Sequence, residues 1–249
     1  MSRLSVHLAV RVLVIWAVVL FIPFAVYAGE LPPSASVEGV VGHPQEHNLS
    51  CESRSATDLA AFWGVSFTED DFLRRLPKSD NPQRGFLGDV DLPPGTMPPD
   101  GYGVYAGPIA ATLRSFGLDA QARREWNLDG LKAELAAGRP AIVWATYDMQ
   151  LPGVETWVSS DGATSTVVKW QHTFIAVGYD EGGLYLVDAY DGATKVFSYD
   201  AFAPAWDQLG RMAVTVGGPL SRPGGRIWKA THVGGIQRFV VDGRWLVGW

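Results

Sequence analysis

A single cysteine, Cys51, stands in a stretch whose side chains suit a sulfur nucleophile. From Gln45 to Gly64 the chain reads as a loop running into a helix. Asn48 or Ser50 can cap that helix, Leu59, Ala60, Phe62 and Trp63 recur at helical spacing, and Gly64 ends it. Cys51 then falls in the first turn, where unpaired backbone N–H groups and the positive end of the helix dipole favour a thiolate. Gln45 lies on the feeding loop, where its amide could donate to an oxyanion formed beside the sulfur. With no second cysteine there is no disulfide within the chain. The polar neighbours Ser50, Glu52, Ser53 and Arg54 argue against an inert thiol in the core.

A thiol nucleophile needs a base, and the base an acceptor that orients it. His7 lies in the N-terminal apolar segment, His232 in a glycine-rich tail, and His43 and His47 on the same loop as the cysteine. His172 differs, because it opens the run Thr173-Phe174-Ile175-Ala176-Val177 and would sit at the end of a buried strand. Asp188 ends the following run, Leu184-Tyr185-Leu186-Val187. If residues 181–183 form the hairpin loop, 176 pairs with 188, which puts Asp188 on the same sheet face as His172. A loop one residue longer swaps faces and promotes Asp191.

The elements that must position these residues follow from patterning. Residues 1–28 read as a targeting segment, with Arg3, His7 and Arg11 ahead of the apolar run Val12–Ile22 and small residues at Val26 and Ala28 before a cleavage point. An uncleaved N-terminal anchor is the other reading, and the only route to a membrane tether. Leu49-Ser50-Cys51 lies too far beyond the apolar run to be a lipobox. Cleavage after Ala28 would remove Arg3 and Arg11 and no acid, taking the formal net charge from −6 to −8. Without a Lys/Arg cluster, a chain this acidic is a poor nucleic-acid binder. In an oxidising compartment an unpaired thiol is a liability unless it has a role.

Residues 29–40 read as a linker. Thr68-Glu69-Asp70-Asp71 is a capping box for a short helix stopped by Pro77, and Lys78 to Gly107 is a long Pro/Gly-rich stretch anchored by Phe86, Tyr102 and Tyr105, expected to be an ordered flap. Helices are expected at 108–116 and 128–137, and strands at 118–125 and 139–145. Residues 148–165 read as a loop carrying an exposed Trp157. Strands follow at 167–179, 184–188, 194–199 and 211–216, with a helix near 201–209. Residues 217–225 read as a linker and 236–249 as a hairpin. Helices first and strands afterwards indicate an α+β domain over 41–216 with a 217–249 extension.

Gln45-x5-Cys51, His172-Thr-Phe-Ile-Ala-Val-Gly-Tyr-Asp and Leu-Val-Asp188-Ala, in that order, resemble the papain-like cysteine peptidases, most closely the C39-like family of exported bacterial proteins. Leu-Pro-Lys-Ser-Asp-Asn-Pro and Tyr-Gly-Val-Tyr-Ala-Gly-Pro are similar to stretches of the same family. One position departs from it: Ala189 follows Asp188 where the family often has proline. The resemblance implies a papain-like α+β fold with N-terminal helices packed on a C-terminal antiparallel sheet. It also implies peptide-bond hydrolysis through an acyl-enzyme, with Cys51 as nucleophile, His172 as general acid/base, Asp188 as orienter and Gln45 as oxyanion donor. The expected partner is a peptide or protein substrate. No cofactor is called for, and no cluster has zinc-ligand spacing. Two other readings share the order Cys then His: a cell-wall peptide amidase, which favours a second His over Asp, and a catalytically silent papain-like binding module.

Overall fold

The computed structural model describes residues 30–220 and the backbone of 227–233, 236–241 and 244–248. The targeting segment read at 1–28 lies outside the described residues, as does the side chain of His232. Six strands form one antiparallel path: β4 (Leu118–Arg123), β5 (Ala141–Thr146), β8 (Gln171–Tyr179), β9 (Leu184–Asp188), β10 (Thr194–Phe197) and β11 (Ala213–Pro219). Their spatial order is β10-β9-β8-β5-β11-β4. A short strand, β1 (Ala35–Ser36), joins this sheet at the far end of β8. The helices are α1 (Cys51–Phe62), α2 (Glu69–Arg75), α3 (Ala106–Ser115), α4 (Leu128–Ala136) and α5 (Tyr199–Gln208). The architecture is α+β, with α3 to α5 interleaved among the strands.

Within the stretch expected to be a linker, residues 35–37 are bound into the sheet. β8 runs beyond the start of β5, whose Ala141 pairs with Ala176, so the last backbone groups of β8 need another partner. Residues 35–37 supply it: Ala35 pairs with Tyr179, and Val37 N–H donates to the Val177 carbonyl at 2.6 Å. The 148–165 loop also has internal order, a hairpin of β6 (Glu155–Val158) and β7 (Thr164–Val167). Trp157 is only partly exposed, and its indole N–H donates to the Asp80 carbonyl. The long flap is pinned by a small ribbon of β2 (Leu87–Gly88) and β3 (Gly101–Gly103), with Phe86, Tyr102 and Tyr105 buried beneath. Residues 217–219 continue β11 instead of starting a linker. The tail is a three-stranded sheet of β12 (Ile227–Val233), β13 (Ile236–Val241) and β14 (Arg244–Gly248), one strand more than the expected hairpin.

The hairpin between β8 and β9 decides which face Asp188 occupies. It closes with Tyr179 opposite Leu184, a loop one residue longer than the expected 181–183. Alone, this change would turn Asp188 to the other face. A bulge between Ala176 and Gly178 shifts the register once more, so Phe174 pairs with Asp188. Together the two shifts move the pairing by two residues, which keeps the parity, and Asp188 shares a face with His172.

The helix that starts at Cys51 is buried along nearly its whole length, although Glu52, Ser53, Arg54, Ser55, Thr57 and Asp58 are all polar. The expectation that polar neighbours keep Cys51 out of the core is therefore wrong: those neighbours are buried too. Burial is tolerated where most groups find a partner, and here the Ser53 hydroxyl and Arg54 Nε are the exceptions among the described residues of this helix. The Ser55 and Thr173 hydroxyls lie 3.0 Å apart, and Thr57 donates to the Ser53 carbonyl. Arg54 pairs with Asp58 at 2.6 Å and with Glu69 of α2 at 3.4 Å. Glu69 in turn accepts the Glu46 N–H, so one guanidinium ties α1, α2 and the loop ahead of Cys51 together. Removing it leaves buried Glu69 to the Glu46 N–H and buried Asp58 to His43. Arg54→Ala is expected to cost about 3–5 kcal/mol of stability, read by urea unfolding. A loss below about 1 kcal/mol would mean the cluster behaves like a surface pair.

Candidate active site

Cys51 is the first residue of α1, and only 5% of it is exposed. Ser50 occupies the cap position without capping. Its hydroxyl instead accepts the His47 N–H and donates to the His47 carbonyl, closing the loop on itself. The first intrahelical bond runs from Arg54 N–H to Ser50, so the N–H groups of residues 51–53 have no partner within the helix. The sulfur lies 3.4 Å from Glu52 Oε2, to which it donates. Burial pushes the thiol well above its ordinary range and the Glu52 carboxylate adds to this, while the Thr173 hydroxyl and N–H work against it. The environment thus opposes the thiolate that a helix start alone would favour.

His172, in β8, is 6% exposed and boxed edge-on by Tyr147 and Phe174, with ring centroids 5.6 and 4.9 Å away. Its Nε2 lies 2.6 Å from Asp188 Oδ1. A carboxylate only accepts, so Nε2 carries the hydrogen and Nδ1 is the nitrogen left to act as a base. Asp188 also accepts Lys195 Nζ at 2.6 Å and the Tyr190 N–H at 2.8 Å. Burial works to raise this carboxyl, but its bonds to His172, Lys195 and Tyr190 prevail and hold it at about 2. Lys195, which also bonds Asp191 at 2.9 Å, is pushed upward by its two carboxylates against the opposing effect of burial. Asp191 therefore serves Lys195 and not the imidazole.

Cys51 and His172 line one cleft of about 180 Å³, with Gln45, Asn48, Leu49, Pro94, Gly95, Tyr102, Tyr147, Trp170, Gln171 and Tyr190 around them. The flap forms a wall, as expected for residues 78–107. It docks on the nucleophile loop through Leu49 N–H to the Val90 carbonyl and Asn48 Nδ2 to the Asp91 carbonyl. His47 bridges Asp91 at 2.8 Å and Asp70 at 3.0 Å, and the Asp91 bond leads in raising its pKa. Non-glycine residues take left-handed backbone where the loops meet the cleft: Trp170 at φ 63°, with Asp148 at 52° and Met149 at 54° next to Tyr147. Such strain concentrates at functional sites. Trp170 also covers Gly95 so closely that a Cβ there would meet the indole at 2.5 Å. A larger groove of about 750 Å³ along residues 34–40 shares no lining residue with this cleft.

Of the residues expected to form the site, Cys51, His172 and Gln45 line the cleft, and Asp188 holds the imidazole from behind. Gln45 is already engaged: Nε2 donates to the His47 and Asn48 carbonyls at 2.7 and 2.8 Å, while its buried Oε1 has no partner. His43 and His47 turn to carboxylates, His43 to Asp58 at 2.9 Å. Lys195 and Glu52 were missed, and no spacing flags a lysine two strands away or an acid next to a cysteine. Among the described residues no cluster could hold a metal ion.

Residues 37–214 match the model of the Peptidase_C39 like family. The chain belongs to that family. The curated relative YvpB of Bacillus subtilis, an uncharacterized protein, is 27% identical over 138 residues, 55% of this chain and 52% of its own. This chain's match thus spans about half of that relative. A crystal structure from Bacillus anthracis assigned to the C39-like peptidases superposes with a TM-score of 0.66 at 20% identity. It covers 74% of this chain and 98% of that one. The fold of this C39-like chain is papain-like α+β, as the sequence motifs implied.

Asp188 sits below its reference value of 3.8 in the folded state, so its contribution to stability is present above that value and lost as pH falls towards about 2. Lys195→Met is expected to raise the folded value and shrink this contribution. The gap in thermal midpoint between the wild type and this variant should be widest above about pH 4 and should close towards pH 2. A gap that stays constant across that range would remove Lys195 from the charge balance.

Proposed function

We propose that this C39-like protein is an exported cysteine peptidase that hydrolyses peptide bonds with Cys51 as nucleophile. The observation that carries the reading is the 2.6 Å bond between His172 Nε2 and Asp188 behind a cleft that Cys51 also lines. The cleft is smaller than the ~300–1,000 Å³ typical of sites enclosing small molecules. An extended peptide lying across the mouth with one side chain inserted suits it better.

In the proposed cycle the Cys51 proton passes to His172 Nδ1 and the sulfur attacks the carbonyl carbon. The oxyanion is met by the backbone N–H of Cys51, which is free of helix bonding, and by Gln45 once one of its N–H groups turns from the loop carbonyls. The imidazolium returns its proton to the leaving amine as the C–N bond breaks. Water then attacks the thioester, giving a proton to His172, and the carboxylic acid and the thiol are released. Asp188, fixed by Lys195, orients the ring and balances its charge. Its place as the third member supports a peptidase over an amidase that uses a second histidine. The basic head, apolar run and small residues of 1–28 support export.

Cys51→Ala should abolish hydrolysis on a panel of proteins and muropeptides while leaving the thermal midpoint nearly unchanged. Retained activity would make the thiol structural, and a wild-type protein that cleaves neither proteins nor muropeptides would favour a silent binding module. Cleavage of muropeptides alone would restore the amidase reading. For Gln45→Ala, turnover should fall on the order of 100-fold with alkylation of Cys51 preserved. An unaltered rate would leave the oxyanion to backbone donors.

A further inference from the structure

Glu52 stands beside the nucleophile and takes no part in the cycle above, yet it is fully buried and joins three segments of the site. Its Oε1 accepts the Val104 N–H at 2.9 Å and Gln171 Nε2 at 3.0 Å, and its Oε2 accepts the Cys51 thiol. Gln171 is the residue before His172, and Val104 follows β3. Gly103 leaves the space for this carboxylate: at φ 116°, a Cβ there would lie 2.4 Å from Oε1. The hydrogen bond that the sulfur donates therefore goes to a carboxylate on its own helix, although the imidazole lines the same cleft.

We propose that Glu52 is a positioning residue that holds Cys51 in a resting state, as a neutral thiol bonded to its own neighbour, and that attack begins when the sulfur exchanges Glu52 for Nδ1 of His172. The proposal rests on the peptidase reading for its role in catalysis, but not for its geometry. A negative charge 3.4 Å from sulfur disfavours a second one there, and burial leaves little water to screen it. The other titratable groups facing the pair are Tyr102 and Tyr105 from the flap side, with His172 on β8 and Tyr147 and Tyr190 at the rim. Both flap tyrosines are pushed upward by burial and stay neutral. Of these titratable groups only His172 can carry a positive charge, while the Thr173 hydroxyl and N–H favour the thiolate without one. Burial also raises Glu52 itself, against its hydrogen bonds from Val104, Gln171 and Cys51, so the hold relaxes as pH falls. A resting thiol in place of a thiolate also resists oxidation, because the thiolate is the reactive species.

The test is Glu52→Gln, which keeps the side chain's shape, its acceptor for Val104 and Gln171, and gives the sulfur a donor. Cys51 ionisation is followed by its ultraviolet thiolate absorbance across pH, with Cys51→Ala as the blank, so the readout does not depend on hydrolysis. The Gln variant is expected to lower the midpoint by about one pH unit, which is tenfold more thiolate on the rising limb. Alkylation and peroxide oxidation near neutral pH should accelerate by a similar factor. A purely structural Glu52 would leave the midpoint in place, and an unmoved or raised midpoint overturns the proposal. Should the Gln variant fail to fold, carbon-13 NMR of the Glu52 carboxyl gives the answer. Loss of the thiol donor in Cys51→Ala must raise the carboxyl's titration, and an unchanged titration also overturns the proposal. A wild-type enzyme whose thiol titrates as expected but hydrolyses nothing on the panel would instead defeat the peptidase reading.

Discussion

The structure depends on burying a polar helix. α1 starts at the candidate nucleophile and carries Glu52, Arg54, Asp58 and several hydroxyls into the interior. A helix of that composition is stable there only if neighbouring segments bring partners to it. Those partners are the segments that build the site: Glu69 of α2 and the loop ahead of Cys51 on Arg54, Thr173 of β8 on Ser55, and Val104 and Gln171 on Glu52. Hydrophobic packing supplies the bulk stability, but the polar contacts select one placement of α1 against β8. In doing so they set where the sulfur stands relative to the imidazole.

Around His172 a second, smaller charge balance operates. Asp188 is nearly inaccessible, so its charge must be compensated inside the fold, and it is shared between an imidazole that can change protonation and a lysine that does not. Lys195 keeps the carboxylate ionised when the ring is neutral. The ring is then free to gain and lose a proton while the acid behind it stays charged. The edge-on aromatic box of Tyr147 and Phe174 limits the ring's rotation, so orientation comes from packing as well as from the hydrogen bond.

Much of this was legible in the sequence because patterning and order are one-dimensional signals. The loop-to-helix transition before Cys51, the apolar run that His172 opens and the acid that closes the next run all appear as changes in local composition. What stayed hidden depends on distance in space. Ala35–Val37 look like a linker until the exposed end of β8 is seen to need them, the ribbon at 87–103 is too short and Gly-rich to register as strands, and the strands at 155–167 are only four residues each. The polarity of residues 52–58 pointed to solvent because composition reports the cost of burial but not the partners that offset it. Gln45 lines the cleft, yet its amide faces loop carbonyls, which spacing alone does not reveal.

The kink at Val177 has a consequence for how this family can vary in length. Between β8 and the acid that ends β9, gains or losses of residues are tolerable only in even numbers, or as an odd change matched by another within the same pair of strands. A lone insertion in the 180–183 turn would be harmless to the turn but would send the carboxylate to the wrong side. Relatives with longer or shorter connections here should therefore carry their compensation in the strand, at the position where this chain bends.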